Sequence, residues 1–74
     1  MEIKQDKFGT YYVEGYTRRQ FTVFTKDDTC KRGEYLEEID VMADTVGQAR
    51  KIARFILDRD YIPGLRIARV VLNW

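Results

Sequence analysis

A small α+β fold is expected: a three- to four-stranded antiparallel sheet with one helix packed on one face, in the order βββαβ or ββαβ. Three observations predict it. Several short segments alternate apolar and polar residues with a period of two. The period then changes to 3.6 directly after a helix-capping signal at Thr45. Finally, a Pro63-Gly64 turn returns the chain to a second alternating run that ends near Trp74.

Residues 10–17, Thr-Tyr-Tyr-Val-Glu-Gly-Tyr-Thr, are rich in aromatic and β-branched types, as are residues 20–26, Gln-Phe-Thr-Val-Phe-Thr-Lys. Such side chains suit a pleated, half-buried surface. The two segments read as a hairpin, although Arg18-Arg19 is a poor match to the primed turns that join strands tightly. Residues 27–34 are polar and read as a loop. A third strand spans residues 35–43, where Ile39, Val41 and Ala43 alternate with Glu38, Asp40 and Met42. Thr45-Val46-Gly47-Gln48 fits a capping box: the Thr45 hydroxyl accepts from the Gln48 N–H and the Gln48 side chain reaches back. A helix should run from there to about Arg59. Val46, Ala49, Ala53, Ile56 and Leu57 form its buried stripe, with Ile52 at the margin. The last strand spans residues 65–72.

One helix covers one face of such a sheet. Alternation places Tyr11, Val13, Phe21, Val23, Ile39, Val41, Ala68, Val70 and Leu72 beneath it. The open face then receives Tyr12, Glu14, Tyr16, Thr22, Phe24, Glu38, Asp40, Met42, Ile67, Arg69 and Val71. That set is rich in aromatic and apolar groups for a solvated surface, and such surfaces mark interaction sites. A slip of one residue in register would exchange the two faces.

Composition narrows the function classes. The 74 residues make a single domain spanning 1–74. With one cysteine, Cys30, no intramolecular disulfide forms, and without histidine no ordinary zinc ligand set exists. Neither cofactor nor metal is expected. A single core of this size seldom gives more than about 3–5 kcal/mol, so self-association into a homodimer or unusually good packing is left to stabilise it. The charged N-terminus excludes a signal peptide, and no run approaches the ~20 apolar residues of a membrane span. A cytoplasmic protein that does not act on membranes is expected, and Met1 reads as the natural start of a complete small open reading frame.

Catalysis is not expected. General acid–base work calls for a group with a pKa near the operating pH inside a cleft. The available carboxylates, Asp27-Asp28, Glu37-Glu38 and Asp58 with Asp60, lie in polar, solvated sequence. Cys30 has Lys31 and Arg32 to lower its pKa but no histidine to activate it. The five glycines are isolated and form no phosphate loop.

Two binding modes remain. Tyr12, Tyr16, Phe24 and Met42 on the open face, with Trp74 at the end of the chain, are types enriched in protein interface cores. Alternatively, the helix turns Arg50, Lys51, Arg54 and Arg59 outward beside Phe55, a set that could neutralise phosphates and stack a base. Charge asymmetry supports an interaction face: residues 1–44 carry seven basic and ten acidic side chains, a net of −3. Residues 45–74 carry six basic and two acidic ones, a net of +4. Glu14, Glu38 and Asp40 on the open face oppose phosphate binding there.

Val41-Met42-Ala43-Asp44-Thr45, leading to Ala49 and Ala53 and then to Pro63-Gly64 and a strand, resembles the strand–helix–strand half of small phage-encoded accessory and anti-CRISPR proteins. The resemblance covers about half the chain. It implies a stoichiometric inhibitor that blocks a larger protein or protein–nucleic-acid complex, and it carries no functional residue with it.

Overall fold

The computed structural model describes residues 2–15, 18–61 and 63–74. The elements are β1 (Lys4–Gln5), β2 (Tyr11–Tyr12), β3 (Arg19–Lys26), β4 (Glu37–Ala43), α1 (Val46–Asp60) and β5 (Arg66–Leu72). They form one α+β unit, a mixed five-stranded sheet in the order β1-β2-β4-β3-β5 with the helix on one face.

The centre of the sheet follows the alternation. β3 and β4 pair antiparallel without a break, setting Phe21 beside Val41 and Val23 beside Ile39. Directly opposed residues share a face, so these four lie together beneath the helix, all essentially inaccessible. Ala49, Ile52, Ala53, Ile56 and Leu57 of α1 close the core from above, and Leu65 joins it from the turn before β5. Thr25 is also fully buried, and its hydroxyl is satisfied by donating to the Glu37 carbonyl at 3.3 Å.

The helix start behaves as its sequence dictates. Thr45 has extended N-cap geometry (φ −136°, ψ 161°), and its hydroxyl accepts from the Gln48 N–H at 3.2 Å. The Gln48 side chain reaches back one residue further than a capping box requires, accepting from the Asp44 N–H at 2.8 Å. Two predicted helix positions are corrected. Ile52, expected at the margin, is in the core, whereas Val46, expected in the stripe, is 48 % exposed. A helical wheel carries angle but not the point along the axis at which the sheet stops covering it, and Val46 lies in the first turn. At the far end Gly64 takes φ +102°, the left-handed value required at the second central position of a type II turn.

The N-terminal half departs further from expectation. Among the described residues, the predicted hairpin is absent: β2 does not pair with β3. β2 instead pairs antiparallel with β1 and parallel with β4, with Tyr11 beside Val41, and β4 lies between β2 and β3. The sheet therefore has five strands rather than three or four, and it is mixed rather than antiparallel. Arg18-Arg19 offers no tight turn, so the chain is free to carry β3 across to the far side of β4.

β5 holds one further correction. Its pairing with β3 shifts between Phe24 and Thr25: Arg69 opposes Phe24, yet Ile67 opposes Thr25, leaving Ala68 as an extra residue. This β-bulge turns Ile67 to the helix side, where it packs against the core, although simple alternation assigns it to the open face. Val70 and Leu72 keep their predicted side, Leu72 at a largely exposed end.

Candidate functional site

The register defines the open face row by row. Tyr11 packs against the core, so Tyr12 points to the opposite side, next to Met42 on β4. Met42 opposes Gln20 on β3, and Gln20 receives the end of the chain. The Trp74 indole N–H donates to the Gln20 side-chain oxygen at 2.7 Å, and the Asn73 N–H donates to the Gln20 carbonyl at 2.8 Å. Lys4 opposes Tyr12 at the outer edge. One transverse row thus reads Lys4, Tyr12, Met42, Gln20, Trp74. Tyr12 and Met42 are half-buried and Trp74 is 63 % exposed.

The next row sets Asp40 and Thr22 beside Val71 on β5. The Thr22 hydroxyl donates to the Asp40 carboxylate at 2.9 Å and accepts from the Asn73 amide at 2.7 Å. Glu38, Phe24 and Arg69 follow, and the Phe24 ring stands against Tyr35 with centroids 5.1 Å apart. Beyond them Arg66 opposes Lys26, and Asp28 offsets the like charges with an Arg66 ion pair at 2.8 Å. Lys4 meets Glu14 at 3.5 Å on the other side. The apolar groups therefore form an interrupted stripe, Tyr12/Met42/Trp74, then Val71, then Phe24/Tyr35, broken by the bonded Thr22–Asp40 pair and rimmed by charges of both signs. Tyr16, assigned to the same face from the sequence, lies outside the described residues.

The outer helix face carries the second set. Arg50, Lys51 and Arg54 are exposed and make no ion pair among the described residues. Arg54 and Asp58, four residues apart on the helix, do not come within ion-pair distance. Arg59 is committed elsewhere. Its guanidinium holds both oxygens of Asp60 at 2.9 and 2.8 Å, and lies 5.8 Å from the Phe55 ring, which is 37 % exposed. This two-pronged bond lowers the Asp60 pKa and raises that of Arg59.

The carboxylates weighed for catalysis are dispersed. Glu37 and Glu38 alternate to opposite faces of β4. Asp27 organises its own loop, accepting from the Thr29 N–H at 2.8 Å, from the Thr29 hydroxyl and from the Cys30 thiol at 3.8 Å. The Thr29 bonds hold its carboxyl below the usual range. Among the described residues, no three His, Cys, Asp or Glu side chains converge as a metal site would need. No helix among the described residues is long and apolar enough to cross a membrane.

Two clefts and a turn on the surface escaped the sequence reading. A cleft of about 330 Å³ at the end of the sheet where β4 begins is lined by Leu36, Glu37, Asp60, Tyr61 and Leu65. A second, of about 280 Å³, shares Tyr61 and Leu65 with it and includes Arg54 and Asp58. Burial raises the Tyr61 phenol above its ordinary pKa. The turn joins β1 to β2 and carries Phe8 at 81 % exposure. Asp6 and Gly9 at the first and fourth turn positions were a legible signal for that turn.

No protein family, curated protein or solved structure matches this chain.

Proposed function

We infer that this chain is a non-catalytic binding protein that occupies the surface of a larger protein, or of a protein–nucleic-acid complex, with the open face of its sheet. The observation that carries the reading is the row Tyr12, Met42, Gln20, Trp74. It sets two half-buried apolar groups on neighbouring strands, with an exposed indole joined to the same row through the Gln20 side chain. Neighbouring strands lie about 4.8 Å apart, so the row spans several side chains in register. Aromatic and methionine groups in such a cluster, surrounded by charge, have the composition of an interface core with a polar rim. Because the rim mixes Glu14, Glu38 and Asp40 with Lys4 and Arg69, the face suits a protein better than a phosphate backbone. A protein that works by covering a surface acts stoichiometrically, as an inhibitor does.

Arg50, Lys51 and Arg54, exposed and free of ion pairs among the described residues, favour a second reading in which the helix binds nucleic acid. One capture experiment from the source cell separates the two. Under the first reading, Tyr12→Ser with Trp74→Ser loses the captured protein, since buried aromatics commonly contribute about 2 kcal/mol or more each. Lys51→Glu with Arg54→Glu then changes capture little, and nuclease has no effect. A nuclease-sensitive catch that survives the aromatic changes and disappears with the charge reversal refutes the sheet reading.

A further inference from the structure

We propose that the chain pairs with a second copy of itself through Phe8, which enters the partner's cleft between Leu36, Tyr61 and Leu65. The contact lies apart from the open-face row and does not depend on it.

Phe8 is presented rather than merely exposed. The Asp6 carboxylate accepts from the Phe8 N–H at 2.9 Å and from the Thr10 N–H at 3.0 Å. The Gly9 N–H donates to the Asp6 carbonyl and the Asp6 N–H to the Thr10 carbonyl, both at 3.0 Å, while the Gln5 amide donates to the Gly9 carbonyl at 3.1 Å. Gly9 has φ +88°, so the loop is a type I turn closed by a left-handed glycine, a standard three-residue hairpin. Five hydrogen bonds therefore hold a phenyl ring out in solvent on a turn whose ordering cost is met before any partner arrives. A group displayed this way binds with little further loss of freedom.

The same molecule carries a receptor of matching size and charge. The cleft's volume of about 330 Å³ is ample for a phenyl group, since a cavity of about 150 Å³ already holds benzene. Leu36, the Tyr61 ring and buried Leu65 give it apolar walls, with Leu36 itself 49 % exposed. Its rim carries Glu37, which makes no ion pair among the described residues, and Asp60, which is held by Arg59. The side chain beside the knob is a cation: Lys7 Nζ lies 5.1 Å from the Phe8 ring. When Phe8 enters the partner's cleft, it brings Lys7 to a rim that carries the carboxylates of Glu37 and Asp60. β2 runs parallel to β4 with Tyr11 beside Val41, so the turn preceding Tyr11 points toward the end where β4 begins. Knob and cleft thus share one end of the molecule, the arrangement a two-fold pair with reciprocal insertion requires.

Sedimentation from micromolar to near-millimolar concentration tests this, with circular dichroism to show that each variant is folded. The full chain should pass from 8.8 kDa to twice that mass. Phe8→Ala and Leu36→Glu, both at exposed positions, should each raise the dissociation constant by at least about thirty-fold. Mixed together they should associate again, more weakly than the full chain, because one intact knob then meets one intact cleft. Lys7→Glu should weaken pairing and Glu37→Lys in the same chain should restore it. A full chain that stays at 8.8 kDa, pairing unaffected by Phe8→Ala, or a mixture as monomeric as its components would overturn the proposal.

Discussion

Ile67→Ala tests the point at which the structure departs most sharply from simple alternation. If β5 alternated without interruption, Ile67 would stand on the open face, and its truncation would fall within the ±0.5 kcal/mol typical of surface changes. With Ala68 bulged, Ile67 opposes the fully buried Thr25 and packs against the core under the helix. Full Ile→Ala truncation in a core costs about 2–5 kcal/mol, and a half-buried side chain about half of that, so a loss of about 1–2.5 kcal/mol is expected. Against a total of about 3–5 kcal/mol for a single core of this size, such a loss is large. Urea unfolding followed by circular dichroism reads it directly. With a slope near 1 kcal/mol per molar for a small domain, the midpoint should fall by about 1–2.5 M. Because the change removes packing and leaves the chain's compactness alone, the slope should stay constant. A loss below 0.5 kcal/mol at unchanged slope would refute the bulge and return Ile67 to solvent.

Two further outcomes follow from the local geometry. Thr45→Ala removes the 3.2 Å cap bond to the Gln48 N–H and should cost about 0.5–1 kcal/mol, the lower part of the range for cap loss, because the bond is long and exposed; an unchanged denaturant midpoint would refute the cap's contribution. The Thr29 bonds depress the Asp27 pKa in the folded chain, so the stability they confer is present above the ordinary carboxylate value and is lost as pH falls through the folded value. Asp27→Asn should therefore flatten the fall in thermal midpoint between about pH 5 and pH 2, and an identical acid profile in the variant would refute that linkage.

The elements that could be read from the chain are those whose cause is local. Thr45 and Gln48 cap a helix because a hydroxyl and an amide three residues apart meet whenever the backbone turns there. Phe21/Val23 and Ile39/Val41 fall on one face because successive strand residues point to opposite sides, and a continuous antiparallel pairing preserves that order. The same rule places Tyr12, Phe24 and Met42 on the open face, so most of the candidate surface is legible in the chain alone. β1 is not, since two residues, Lys4 and Gln5, are too short to show a period. Nor is the parallel contact of Tyr11 with Val41, a choice between distant segments that no window of residues contains.

The bulge at Ala68 belongs to the same class. It exchanges the side of Ile67 through a mismatch between two strands, without leaving a mark in the composition of either. The remaining features required the chain to be folded, because they depend on what lies next to what. Trp74 joins the open-face row through Gln20, which is 54 positions away. The Leu36–Tyr61–Leu65 cleft gathers the start of β4, the end of α1 and the approach to β5. Side-chain periodicity is a property of consecutive residues, and so the sequence carries it. Strand order, register and the hollows between elements are settled by which apolar surfaces bury one another, and that competition is resolved only by the whole chain at once.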